Sequence, residues 1–368
     1  MGRSLDSLIL DASSFIQSEF NLELQQSQLK IYSFENWQEF CEVNGFDVNS
    51  EGLYVPISYS AYVRVDSPVL VSNIFHEYFG HGLFVEHSVI GKRLVEIIQS
   101  HGDERSFLYR EVNPREQLFG LCRTNIGNYE GFAVWLEALL CEETGNRKVW
   151  QLKKDRLPKD YISLFEFFQD AETKLTRFGF MAQLGFPKFY DDNKVLGVIK
   201  KLYGSAFNNI DFIILYGSQK PESDIDLFIV STNRSMNFFN GWLDIYELNR
   251  GEFHYQLYNL DISVTDPLFT GRVIYGDHNL VEELKRLILK LGINNEKINY
   301  NLAEARRQYE LHNKLSDPRL RRIAESYAKS FYYNAISLIQ GFKPLTLQKI
   351  GELYDLSRPI ESLILVEK

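Results

Sequence analysis

ILYGSQKPESDIDLFIV, residues 214 to 230, runs an apolar strand into a Gly-Ser turn and sets two aspartates, Asp224 and Asp226, at the head of a second apolar strand. Side chains alternate along a strand, so residues i and i+2 share a face and both carboxylates point into one space. Two carboxylates that close repel each other unless a divalent cation lies between them, and magnesium takes oxygen ligands of this kind. Opposite them, Gly217 lets the backbone come close to a ligand. The Ser218 hydroxyl and the local amides can hold triphosphate oxygens, with Lys220 as the nearby cation and Ser223 just ahead of the aspartates. An isolated D-x-D is usually a pair of exposed turn acids; here the strands and the Gly-Ser turn favour a nucleotide and metal site.

Outward from that stretch, the runs IDFIILY (210 to 216), DIDLFIVS (224 to 231) and LDISVTD (260 to 266) alternate with helical or loop text, which predicts an α/β module. Phosphoryl chemistry gains from a second metal about 3.5 to 4 Å from the first, and a third carboxylate usually holds it. Asp261 is the candidate. Read as a strand, LDISVT puts Asp261, Ser263 and Thr265 on one face and Ile262 and Val264 on the other, while Asp244 and Asp266 compete for the role.

A strand, a Gly-Ser turn, D-x-D on the neighbouring strand and a later acid resemble the polymerase β-like nucleotidyltransferase superfamily, over residues 195 to 278. The resemblance implies transfer of a nucleoside monophosphate from an NTP, ATP among them, to an acceptor hydroxyl with loss of pyrophosphate. Asp224 and Asp226 would hold two Mg²⁺ ions, Asp261 would complete the metal site and help deprotonate the acceptor, and Gly217, Ser218, Lys220 and Ser223 would line the nucleotide site. The QKPES interval is shorter than the insert of minimal members of the superfamily. A protein side chain, an RNA end and a small-molecule hydroxyl all remain open as acceptor, as do base preference and oligomeric state.

A second signal is HEYFGHGLFVEHS, residues 76 to 88. A zinc helix of the H-E-x-x-H kind works because i and i+4 share a face, but His76 and His81 stand five apart and diverge by roughly 140° on a regular α-helix. A π-bulge at Phe79 or Gly80 would realign them; alternatively Glu77 and His81 form the co-facial pair. The segment NYEGFAVWLEALL (128 to 140) supplies Glu130, with Glu137 two turns on. Together the segments resemble the gluzincin metallopeptidases, which implies His76, His81 and Glu130 as Zn²⁺ ligands and Glu77 as general base. The competing reading is a buried packing helix with aromatic Phe75, Tyr78, Phe79 and Phe84, and lone histidines such as His87 and His101 are more often structural than ligating.

The fold expected is α+β and multidomain: a helix-rich, zincin-like domain (1 to 186), a central α/β nucleotidyltransferase module (187 to 279) and a carboxy-terminal helical bundle (280 to 368). The basic run RKVWQLKKDRLPKDY (147 to 161) reads as a solvated loop. In the bundle, Arg307 and His312 form an R-x4-H string resembling HEPN domains, with a solvated amphipathic helix as the default. A net charge of −9 argues against a dedicated nucleic-acid coat. Three cysteines without a C-x-x-C pair suggest neither a disulfide framework nor a thiolate zinc site. With no signal-peptide h-region and no membrane-length apolar run, a cytoplasmic protein without a membrane partner is expected. No P-loop or G-x-S-x-G elbow is present. A metallopeptidase with a nucleotide-sensing module and a non-catalytic binding protein with degenerate sites are the alternatives to a nucleotidyltransferase.

Overall fold

In the computed structural model, which describes residues 4–101, 107–110, 122–189, 191–239 and 241–358, the helical amino-terminal text also builds a small sheet. Strands β1 (Gln28–Tyr32), β2 (Gly52–Val55) and β3 (Ser60–Arg64) lie in the order β1-β3-β2, with β1 parallel and β2 antiparallel to β3. At four or five residues each, they are too short for a two-residue alternation to stand out in sequence.

The Asn125–Glu143 helix starts at Thr124, whose hydroxyl accepts from the Gly127 amide, and it is buried on nearly every side. A helix apolar all round runs through an interior, so the two acids on its inner turns, Glu130 and Glu137, are carried inside with it. The basic run expected as a loop is partly the Arg147–Lys154 helix.

A second, five-stranded sheet contains β4 (Ile210–Tyr216), β5 (Ile225–Ser231), β6 (Met236–Phe239), β7 (Leu243–Asn249) and β8 (Arg272–Gly276) in the order β6-β7-β5-β4-β8. Only the β5–β7 pair is parallel; the other neighbours are antiparallel. The opening stretch is thus the β4–β5 hairpin. The third strand is not LDISVTD: Ile262–Thr270 is a helix with Asp261 as its N-cap and Pro267 inside it. Ile262, Val264, Thr265 and Leu268 are all buried, so the apparent alternation in DISVT came from a short helix covered on several sides and carried no strand information.

By backbone contacts the chain divides into two units, Met1–Gly204 with Lys220–Ser223, and Ser205–Gln219 with Asp224–Lys368. This differs from the three-part expectation. The Asp192–Tyr203 helix groups with the first unit. The described helices after residue 277 group with the second sheet because they finish its core: Val281, Leu284, Ile288 and Leu338 pack with Phe212 and Ile214 of β4 and Phe228 and Val230 of β5. A smaller apolar cluster of Ala305, Ala328, Phe331, Tyr333 and Ile350 lies among these helices themselves, with Ile262 packed into it. Among the described residues no helix is long and apolar enough to cross a membrane.

Candidate functional site

In the second unit the β4–β5 hairpin brings Tyr216 opposite Asp226. The next residue, Gly217, has φ +72, and a Cβ there would meet Asp226 Oδ2 at 2.0 Å. Glycine is therefore required twice over, by the left-handed backbone and by the carboxylate lying against it. Across the parallel β5–β7 pair Asp226 stands in register with Asp244. Burial first, and then the charges of Asp224 and Asp244, raise the Asp226 carboxyl to about 7. The all-oxygen donor set suits a hard cation such as magnesium. Ser218 and Lys220 are exposed and Ser223 half-buried; Ser223 N–H donates to the Lys220 carbonyl at 3.0 Å, closing a tight turn.

Asp261 has a different setting. Its Oδ1 accepts from the Ser263 amide at 2.8 Å and its Oδ2 from the Tyr300 hydroxyl at 2.5 Å. Burial raises its carboxyl to about 6, against the pull of those two bonds. Both oxygens are engaged in capping the helix and holding Tyr300, and the expected strand that would have aimed Asp261 beside Asp226 does not exist.

In the first unit, residues Phe75–His81 form a π-helical turn between the Leu70–Ile74 and Gly82–His87 helices. The wider turn compensates the five-residue spacing, so the His76 and His81 rings meet with centroids 4.8 Å apart. The turn packs tightly onto the Asn125–Glu143 helix, since a Cβ on Gly80 would lie 2.7 Å from Ala133 Cα. Glu130 is carried within reach: its Oε2 is 3.6 Å from His76 Nε2 and 3.6 Å from His81 Nε2. Glu77 Oε2 lies 3.9 Å from His81 Nε2. Among the described residues, His76, Glu77 and His81 form a group whose potential ligand atoms all lie within 4.8 Å of one another.

Separations of 3.6 Å are too long for hydrogen bonds. They are close to the roughly 3.3 to 3.5 Å between ligand atoms on a tetrahedral zinc with bonds of about 2.0 to 2.1 Å, so two imidazoles and a carboxylate fit that ion. Burial drives the His81 imidazole down to about 3, leaving it neutral. His76 moves the other way, to about 9: burial and Lys153 oppose protonation, but the Glu130 and Glu137 carboxylates outweigh them. Burial lifts the Glu77 carboxyl to about 7.

Around this group lies a layer that the sequence reading did not assign. Glu137, fully buried, bonds His76 Nδ1 at 2.9 Å, pairs with Lys153 Nζ at 2.8 Å and accepts from the Ser72 hydroxyl. Tyr161 donates to Glu130 Oε2 at 3.2 Å. A carboxylate on Nδ1 fixes an imidazole's tautomer and leaves Nε2 for a ligand. His81 has no such partner; its Nδ1 is buried without a hydrogen bond among the described residues, and its ring instead stacks on Tyr129 at 4.0 Å. Glu137 was visible as the residue two turns beyond Glu130, but nothing in sequence links Lys153 or Tyr161 to it. His87 bonds the Glu23 carbonyl and His312 the Arg321 carbonyl, both with one ring nitrogen. The side chain of His101 lies outside the described residues.

The chain matches no known protein family and no curated protein. Among solved structures it is similar to a nucleotidyltransferase-like protein from Exiguobacterium sibiricum, at 12% identity and a TM-score of 0.25, over 47% of this chain and 71% of that one. Similarity at that level transfers neither the fold nor the activity of that protein to this chain.

Proposed function

We propose that the second unit is a nucleotidyltransferase that moves a nucleoside monophosphate from an NTP to an acceptor hydroxyl. The observation that supports this best is the gathering of Asp224, Asp226 and Asp244 at one end of β5 and β7, with Asp226 raised to about 7 by burial and by its two acidic neighbours. Such mutual repulsion is relieved by a bound cation. In this reading Asp244 takes the place first given to Asp261, and Asp224, Asp226 and Asp244 would together hold two magnesium ions, which would supply positive charge to the triphosphate. Gly217 and Ser218 would lie beside the β and γ phosphates. Calorimetric titration of ATP with and without magnesium tests the assignment. Asp244→Asn is expected to abolish magnesium-dependent binding as fully as Asp224→Ala with Asp226→Ala, and Asp261→Asn to retain it. The opposite ranking returns the role to Asp261, and binding that survives all three changes ends the reading.

A second reading concerns the first unit, and the π-helical turn favours it: a residue inserted into a helix costs regular hydrogen bonds, and such turns concentrate at functional sites. We read His76, His81 and Glu130 as a zinc site with Glu77, whose Oε2 lies 3.9 Å from His81 Nε2, as its base. Elemental analysis is expected to find one zinc per chain, lost in His81→Ala and kept in Glu77→Gln. Peptide cleavage that Glu77→Gln removes while zinc is retained would make the unit a peptidase; zinc without cleavage would leave it a metal-stabilised scaffold.

A further inference from the structure

Cross-strand partners share one face of a sheet. The register therefore sets four side chains in a row at one end of the second sheet: Phe239 of β6, Asp244 of β7, Asp226 of β5 and Tyr216 of β4. Neighbours in such a row stand about 5 Å apart. All four are half-buried. The middle two are acids of the proposed nucleotide site, and an aromatic residue closes the row on either side.

Tyr216 ends β4 and immediately precedes Gly217. Its ring packs against the apolar core of the second sheet, while its hydroxyl makes no hydrogen bond among the described residues. Burial first, and then Tyr327 and the carboxylates of Asp244, Asp226 and Asp266, hold the phenol well above its ordinary range. The hydroxyl thus faces the acid group and stays a donor. A sheltered donor left without an acceptor calls for a ligand atom.

The phosphate side of the site is poor in other donors. The turn between β4 and β5 contains one cation, Lys220, and it is exposed. Arg272 of β8 stands opposite Leu215, which alternation along β4 puts on the other face from Tyr216. In an in-line displacement the attacking and leaving oxygens lie on opposite sides of the α-phosphorus. With the β and γ phosphates beside Gly217, the leaving group falls at the Tyr216 end of the row and the acceptor at the Asp244 and Phe239 end.

We propose that Tyr216 binds the pyrophosphate portion of the NTP, its hydroxyl donating a hydrogen bond to a β-phosphate oxygen as that group leaves. The assignment rests on the nucleotidyltransferase reading. In the transfer the acceptor's hydroxyl oxygen bonds to the α-phosphorus and its proton passes to the Asp244 carboxylate. The bond between the α-phosphorus and the bridging oxygen breaks, and pyrophosphate leaves with the electron pair. Tyr216 meets the charge gathering on the leaving group and keeps its own proton.

Calorimetry on the full chain at saturating magnesium, with ATP and with inorganic pyrophosphate, tests the assignment. Tyr216→Phe keeps the ring and removes the hydroxyl. Both ligands should then bind roughly tenfold to a hundredfold more weakly, as for a lost hydrogen bond to a charged group. Tyr275→Phe, on β8 with its ring 4.7 Å from that of Phe207, should bind both as the wild type does. In wild-type protein carrying carbon-13-labelled tyrosine, the Tyr216 resonance should shift when magnesium pyrophosphate is added. Unchanged affinities in Tyr216→Phe, weaker ATP but unaltered pyrophosphate binding, equal weakening in Tyr275→Phe, or an unmoved Tyr216 resonance overturns the assignment and leaves the nucleotidyltransferase reading standing. A wild type that binds neither ligand removes that reading and the assignment with it.

Discussion

Replacing Gly217 by alanine separates two demands that the structure places on one residue. The first is backbone strain: at φ +72 an L-residue costs about 1 to 2 kcal/mol over glycine. The second is steric. A Cβ placed 2.0 Å from Asp226 Oδ2 and 2.8 Å from its Cγ is more than an ångström inside ordinary contact, so the carboxylate must swing away or the turn must open. Gly341 supplies the control, because its φ is +83 and a Cβ there meets nothing within 4 Å. The strain shared by both substitutions should lower the melting temperature of the second unit by roughly 2 to 8 °C, at about 2 to 4 °C per kcal/mol for a unit of this size, and the steric clash should lower it further in Gly217→Ala. Only Gly217→Ala should also damage the site: an ångström of misplacement costs about a hundredfold in turnover, and magnesium-dependent ATP binding should fall with it. Thermal melts and calorimetry on the two variants give both numbers. If Gly217→Ala melts with Gly341→Ala and binds ATP as the wild type does, the Asp226 carboxylate is not where the chemistry occurs and the reasoning is refuted.

Lys153→Met should strand the Glu137 carboxylate, which is fully buried and held below the ordinary range by Lys153 and His76 against the cost of burial. Uncompensated buried charges cost about 3 to 5 kcal/mol, so a large drop in melting temperature is expected, with part of it recovered in Lys153→Met with Glu137→Met; independent, additive losses would contradict the pairing. The second unit's stability should also depend on pH through Asp261 and Asp226. Both folded carboxyls lie above the ordinary aspartate value of 3.8, at about 6 and about 7, so the folded state retains protons that the unfolded chain has released. Stability from these groups is full below pH about 4 and falls as the pH rises towards 6 for Asp261 and 7 for Asp226, by roughly 3 kcal/mol for buried Asp261. Denaturant melts in EDTA should show this fall; Asp261→Asn should remove the lower part of it and magnesium the upper part. Magnesium that erases both would place Asp261 among the metal ligands.

What the sequence disclosed follows from which interactions are local. Gly217, Asp224 and Asp226 sit within ten residues on one hairpin, and their motif contains the geometry that brings them together. The five-residue interval between His76 and His81 put a wider helical turn among the open readings, because helical phase is set by residue count, and the π-helical Phe75–His81 is the form found. Asp244 is different. Its place beside Asp226 depends on β7 returning parallel to β5, a non-local pairing, and LDIYELN reads less clearly as a strand than the helical LDISVTD does. Alternation reports burial on one face, so a short helix covered on several sides imitates a strand, while β7 conceals its pattern because the charged Glu247 takes a buried position. Lys153 illustrates the same limit at a single residue. Within its own segment it is one more cation in a basic run, and only the approach of a neighbouring helix turns it into the partner of a buried carboxylate. The misassigned residues are therefore those whose surroundings come from elsewhere in the chain.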